Sequence, residues 1–383
     1  MKKIYVICLL AFASCAENDE RTYFNGEVTI IDINVKPDTL RGKEIKLDGL
    51  FAGNMWAQDS LIGFIDHRFP DYFMHVFNLY TGKFLYPLCR HGEGPGAFRE
   101  ITFTDQLVMA DGQLHFWVRD DYGRKGGCIL VNLEKPDNEV KQAMDIIVDD
   151  WKFYYSFSFV FILNDSLFLG NNQGEGEYEG KNPFIPPTYY IYNSRTKQKI
   201  RTYTLYNGFV SQPEYRGKSS PAEYFASMDR IKPDKSKLAM AMHLLDQINI
   251  LDLTTGKIKG FRDKNSPDFE YLTHDPADFK RYYSNVCVDD TYIYRNRGRT
   301  VNVFDWNGNV VRKIILDKKA IAATFDSVNK YLYAYVGDEG EEVYRDDLSF
   351  YINNWKFSIL VVRRNFQITP NDEKETNHKG KKS

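Results

Sequence analysis

The 383-residue sequence predicts an all-β fold: a six-bladed β-propeller with four antiparallel strands per blade. Three observations predict it. A short apolar strand ending in a polar or charged residue recurs six times, tight-turn pairs precede and follow it, and 15% of the chain is aromatic.

The recurring strand is Met74-His75-Val76-Phe77-Asn78, then Ile129-Leu130-Val131-Asn132, Tyr190-Ile191-Tyr192-Asn193, Ile248-Asn249-Ile250-Leu251-Asp252, Val301-Asn302-Val303-Phe304-Asp305 and Leu360-Val361-Val362-Arg363. Its last positions are separated by 54, 61, 59, 53 and 58 residues, a mean of 57. A strand entered by a tight turn lies upstream each time: Asp59-Ser60, Asp111-Gly112, Asp165-Ser166, Lys235-Ser236, Asp289-Asp290 and Asn329-Lys330. Downstream, Thr81-Gly82, Thr255-Gly256 and Asn307-Gly308 supply the positive φ of hairpin turns and lead into a fourth strand. The sixth unit lacks a clear fourth strand, and residues 28–35 form a strand with no unit of their own. That N-terminal strand is expected to close the last blade and remove a bare edge. Residues 25–366 then form the propeller, and 367–383 a disordered polar tail.

The first residues carry an address. Met1-Lys2-Lys3 is a basic start, and residues 4–12 are an apolar stretch too short to span a bilayer. Phe12-Ala13-Ser14-Cys15 resembles the lipobox of bacterial lipoproteins, although Phe12 stands where an aliphatic residue is usual. The resemblance implies a signal peptide over 1–14, lipid on Cys15 and a linker over 15–24. An ordinary secretory signal, or a strand with an incidental cysteine, is the other reading. Removing 1–14 leaves 48 basic against 52 acidic side chains. Ala16-Glu17-Asn18-Asp19-Glu20 resembles the acidic export tag of surface lipoproteins, or is a solvated linker. Cys89, Cys128 and Cys287 remain, an odd number without a C-x-x-C, so buried thiols are expected, with one incidental disulfide left open.

A net charge of −2 provides no field for nucleic acid, and no apolar run reaches the ~20 residues of a membrane span. Attachment to the membrane is expected through the N-terminal lipid only.

The unit Val301-Asn302-Val303-Phe304-Asp305-Trp306-Asn307-Gly308 and the segment Arg90-His91-Gly92-Glu93-Gly94-Pro95-Gly96-Ala97-Phe98 are similar to those of TolB-like six-bladed propellers, lipoproteins of that type included, with kinship to NHL-repeat propellers. The resemblance covers roughly residues 25–366. It implies the fold and an envelope location at the outer membrane of a Gram-negative cell; it implies no one activity, since the group holds receptors, scaffolds and enzymes.

Alternation of strands puts the first-to-second and third-to-fourth turns on one end of the propeller, and these are short. The other end collects the long segments 66–73, 119–127, 171–188 and 337–347 and the connectors 89–104, 206–224 and 263–283. Long loops persist where they bind something. They carry Phe69, Tyr72, Tyr122, Tyr206, Arg68, Arg119 and Arg297, rings and guanidinium forks suited to sugars or peptides. His67, Arg119, Asn172, His243, Asn296 and Asp338 follow the second strands and are candidate rim residues. The full candidate set is therefore His67, Arg68, Tyr72, Arg119, Tyr122, Asn172, His243, Asn296, Arg297 and Asp338. Arg295-Asn296-Arg297-Gly298-Arg299 reads as a solvated basic turn, with an anion site as the other reading.

No catalytic residue is assigned. The seven histidines form no H-x-H or H-E-x-x-H pair, no EF-hand or G-x-S-x-G is present, and the Gly-rich 92–96 segment lacks a following Lys-Ser/Thr. The leading expectation is a non-catalytic envelope protein binding a glycan, a peptide or a partner protein through the long-loop end, without a cofactor. The alternative is a metal-assisted hydrolase, lactonase or lyase with an axial site, the one reading that needs Ca²⁺ or Zn²⁺.

Overall fold

The computed structural model describes residues 23–49, 51–94, 97–110, 112–120, 128–134, 141–144, 157–172, 187–207, 225–266, 282, 285–336 and 358–363. Among these there is no helix, and the chain is an all-β propeller. Cys15, the signal and most of the linker, Tyr122, Asp338 and the tail lie outside the described residues.

Three short strands come first among the described residues: β1 (Glu27–Ile31), β2 (Pro37–Leu40) and β3 (Lys43–Ile45). Three four-stranded antiparallel sheets follow in simple succession. The first is β4 (Asn54–Gln58), β5 (Leu61–Ile65), β6 (Tyr72–Asn78) and β7 (Phe84–Arg90). The second is β8 (Ile101–Ala110), β9 (Gln113–Asp120), β10 (Cys128–Asn132) and β11 (Lys141–Met144). The third is β12 (Phe157–Ile162), β13 (Leu167–Asn172), β14 (Thr188–Asn193) and β15 (Gln198–Thr204). The fourth sheet, β16 (Ser227–Ile231), β17 (Lys237–Met242), β18 (Gln247–Asp252) and β19 (Ile258–Asp263), gains β1 as a parallel fifth strand. The last has seven strands: β20 (Asn285–Val288), β21 (Tyr292–Asp305), β22 (Val310–Asp326), β23 (Tyr331–Val336), β24 (Ser358–Arg363) and β3, with β2 alongside β22.

Five sheets are therefore present among the described residues, where the repeat predicts six. The difference lies in β22. Its first half pairs with β21 and its second half with β23, and Asp317-Lys318-Lys319 between them include no glycine or proline to break the strand.

The expected N-terminal closure also differs in its residues. The 28–35 strand does not complete the last sheet; β1 lies parallel to β19, Glu27 opposite Lys259 and Ile31 opposite Asp263. The strand that does is β3, antiparallel to β24 with Ile45 opposite Ile359. Between them β2 runs parallel to β22. The segment thus straps the outer edges of successive sheets, then reaches the first sheet where the Asp48 N–H donates to Gly82 O at 2.8 Å. Lys264 and Asp32 at 2.6 Å, and Lys318 and Glu44 at 3.0 Å, pair along its exposed side.

The Asn or Asp ending the first five recurring strands has a common job. The side-chain oxygen of Asn78, Asn132, Asn193, Asp252 or Asp305 accepts N–H groups from the following turn, as in Asp252 with Thr254 at 3.0 Å and Thr255 at 2.7 Å. This is an Asx turn, which a hydrophobic residue cannot form. Four residues past Asn78, Asn193 and Asp252, and three past Asp305, the chain takes positive φ at Gly82, Lys197, Gly256 and Gly308.

Apolar layers join neighbouring sheets around the ring. Trp56 and Val76 meet Phe116 and Val118; Cys128 meets Phe168 and Tyr190; Phe161 and Tyr189 meet Leu238 and Met240. Ala239 and Ile250 meet Ile293 and Phe304, and Tyr333 and Tyr335 return to Phe64 and Phe77 on the first sheet. Cys89, Cys128 and Cys287 are buried thiols, and none forms a disulfide.

Candidate functional site

Cross-strand register identifies the long-loop rim without reference to loop length. There Ile65 pairs with Asn54, Arg119 with Thr102, Asn172 with Phe157, Met242 with Ser227, Asn296 with Asn285 and Val336 with Ala320. Arg119, Asn172 and Asn296, all expected rim residues, occupy this position. His67 lies two residues beyond it and His243 one beyond. Arg119 is buried and its Nη2 reaches Thr102 Oγ1 at 3.3 Å, while Asn296 is buried with its Nδ2 3.3 Å from Ala320 O. The Asn285 Oδ1 beside it is buried without a partner.

His67, Arg68 and Tyr72 gather on the 66–73 loop of the first sheet. The buried Asp66 carboxylate accepts the Arg68 backbone N–H at 2.9 Å and grips its guanidinium through Nε at 2.6 Å and through Nη2. This two-point grip raises the Arg68 pKa, burial opposing. His67 meets Phe73 edge-on, and the Phe73 ring lies 3.8 Å from that of His91. Burial lowers the His91 pKa; Asp71 opposes the shift and His67 adds to it. Tyr72 is half-buried opposite Arg90.

A second group forms at the seam between β16–β19 and β20–β22. The Tyr282 N–H donates to His243 O at 2.8 Å, and the exposed Arg297 guanidinium lies 5.5 Å over the Tyr282 ring. Beneath them Arg295 is buried at 2% exposure, contrary to its reading as part of a solvated turn. Its Nη2 donates to Asp246 Oδ1 at 2.9 Å and its guanidinium sits 5.2 Å over Phe304. Burial lowers its pKa to about 10, with Asp246 and Asp263 opposing. Asp246, Tyr282 and Arg295 were missed by sequence reasoning. One signal existed: period-two alternation puts Arg295 on the same side of the strand as Ile293, which is buried. Asp246 and Tyr282 carried none, since only folding brings residues so far apart in sequence together.

Two of the loop aromatics serve the core. Phe69 is buried and stacks on His75 at 4.1 Å, and Tyr206 is buried and stacks on Phe225 at 4.3 Å. Among the described residues, no three His, Cys, Asp or Glu side chains converge to hold a metal ion, and no helix is long and apolar enough to cross a membrane.

No family model matches the sequence, and no curated protein matches it. Solved structures do share its fold. The chain is similar to a Bacteroides fragilis protein described as exported, with a TM-score of 0.51 and 14% identity over 88% of this chain and 99% of that one. It is also similar to regucalcin, a calcium-binding protein of Agrobacterium tumefaciens, with a TM-score of 0.43 and 14% identity over 86% and 98% of the two chains. Luciferin-regenerating enzyme aligns with a TM-score of 0.43 and 11% identity over 83% and 92%.

Proposed function

We propose that this chain is a lipid-anchored envelope propeller of the TolB-like kind that binds a glycan, a peptide or a partner protein through its long-loop end, without catalysis. One observation carries the reading. At the seam of the fourth and last sheets an exposed guanidinium, Arg297, is laid over the ring of Tyr282, with the buried Asp246–Arg295 pair near enough to act on both electrostatically. A flat ring and a planar fork held in place before binding lower the ordering cost of recognition. His243 supplies a polar edge beside them.

The seven-stranded sheet serves on this reading as two blades, making six. In its support, Tyr294, Val301, Val303 and Ile314 pack against Ala323, Phe325, Leu332 and Ala334 as one more apolar layer of the kind that separates the other blades. Export is supported by the signal-like first residues and by the shared fold of a protein described as exported. Acylation of Cys15 is tested by mass spectrometry of the mature N-terminus; an unmodified terminus at another residue rejects the anchor.

Binding is tested by screening the full chain against glycan and peptide arrays. Arg297→Ala and Tyr282→Ala should each weaken the best hit by about tenfold or more, while changes at the opposite end, such as Asn307→Ala, leave it intact. The reverse pattern would place recognition at the wrong end.

A further inference from the structure

At the end of the propeller opposite that seam, the inner strands β4, β8, β16, β20 and the second half of β22 terminate around a cavity of about 220 Å³. Trp56, Leu107, Leu114, Ile231, Val288 and Phe325 give it apolar walls. An apolar cavity of ~150 Å³ suffices for benzene, so this one has room for a single aromatic ring with a small substituent.

The polar side chains of the lining sort into used and available groups. Gln106 is committed at both ends of its amide, donating to Ile162 O at 3.0 Å and accepting the Ile162 N–H at 2.6 Å. Asp289 is committed too: Oδ1 accepts the Thr291 and Tyr292 N–H groups at 2.7 Å, and Oδ2 the Tyr294 hydroxyl at 2.8 Å. Gln58 Oε1 accepts the Ser327 hydroxyl at 3.3 Å. The Trp56 indole N–H has no partner, but it is fully buried over Gly63 and out of reach of the cavity. One donor stands apart. Lys235 has three ammonium hydrogens and one bond, to Leu163 O at 2.8 Å. Burial lowers its pKa, with Asp165 opposing, the mark of an ammonium short of solvation.

We propose that this cavity is a second binding site, for a small apolar monoanion: one aromatic ring set among the Leu107, Val288 and Phe325 walls, its carboxylate on the Lys235 ammonium. The negative charge of Asp289, the other ionised group in the lining, is absorbed by three donors of its own loop. Apolar walls drive entry of the ring, and the charged contact selects an acid over a neutral molecule of equal size.

Benzoate is the probe, with acetate as the salt control and benzyl alcohol as the neutral match. Benzoate should raise the melting temperature of the full chain in a concentration-dependent way. Benzyl alcohol should bind about tenfold more weakly, and acetate should do nothing. Lys235→Asn, which suits the positive φ of 62° at this turn, should erase the preference for benzoate over benzyl alcohol. Ser327→Trp places a large ring at the exposed mouth and should abolish both. Line broadening of fluorobenzoate in ¹⁹F spectra reads binding directly if a variant melts differently on its own. No broadening at millimolar probe, or broadening that survives Ser327→Trp unchanged, overturns the site.

Discussion

Gly308 and Lys197 occupy comparable turn positions and illustrate opposite demands. At Gly308, φ is 87° and an added Cβ would lie 2.1 Å from the Phe261 ring, so Gly308→Ala meets both backbone strain and a fixed side chain. A loss on the order of 3 kcal/mol is expected, read from the urea midpoint. Lys197 holds φ 54° with a side chain. Left-handed backbone costs a non-glycine residue ~1–2 kcal/mol, against ~0.5–1 kcal/mol for the extra chain entropy of glycine. Lys197→Gly should therefore stabilise by roughly 0.5 kcal/mol. Asp229 is a residue of another kind. It is buried under the Tyr189 hydroxyl at 2.8 Å and the Ser227 hydroxyl at 2.6 Å. Burial pushes its pKa from 3.8 up to about 7, with Ser227, Tyr189 and Arg230 pulling the other way. Between those values the folded chain keeps a proton that the unfolded chain has released. Its contribution is full below about pH 4 and is lost as the pH rises through about 7. Asp229→Asn should flatten the fall in stability between about pH 4 and about pH 7, and gain on the order of 2 kcal/mol at the upper end.

Among elements, the strap accounts for how edges are managed. β1 and β2 cover the outer strands β19 and β22, and β3 supplies the missing partner of β24. Uncovered outer strands carry their own protection. β7 includes Pro87, which offers no N–H to an incoming chain, and β15 exposes Lys199 and Arg201. Deleting 37–48 should therefore do more harm than deleting 25–36, because the first removes the strand that closes the last sheet. Calorimetry is expected to show loss of a single cooperative transition only for the 37–48 deletion; equal damage from both would move the closure back to β1. The strap also locks at its start: Tyr23 donates to Gln247 Oε1 at 2.5 Å, Gln247 Nε2 to Asn249 Oδ1 at 2.6 Å, and Asn249 Nδ2 to the Tyr206 hydroxyl at 3.0 Å. A chain of buried amides and phenols is stable only when every member is paired, so it fixes one register for the strap.

Across the whole molecule, stability is distributed over seams between sheets, and the Asp246–Arg295 pair lies in one of them. Arg295→Met leaves Asp246 buried without its cation and should cost about 3–5 kcal/mol by urea denaturation. Adding Asp246→Leu should recover most of that loss, because the double change removes both desolvation costs at once. A double variant no better than the single would show that the pair contributes through packing alone. The ring also explains which residues could be read in advance. The rim position of Arg119, Asn172 and Asn296 was legible because each stands a fixed count along a period-two strand. Phe69 and Tyr206 could not be assigned in advance because a loop aromatic and a core aromatic are the same letter until a neighbouring sheet covers one of them.

The recurring strands and their turns were legible in the order of residues alone, because Asx caps, positive-φ glycines and alternating apolar residues act over a few neighbouring positions. Three-dimensional packing was needed to show that β1 leaves the last sheet to β3, that β22 runs on through two pairings, and that Arg295 is buried against Asp246. Edge pairing and buried charge depend on partners from 49 to more than 300 positions away, and no local pattern encodes which of several open edges, or which carboxylate, will be met.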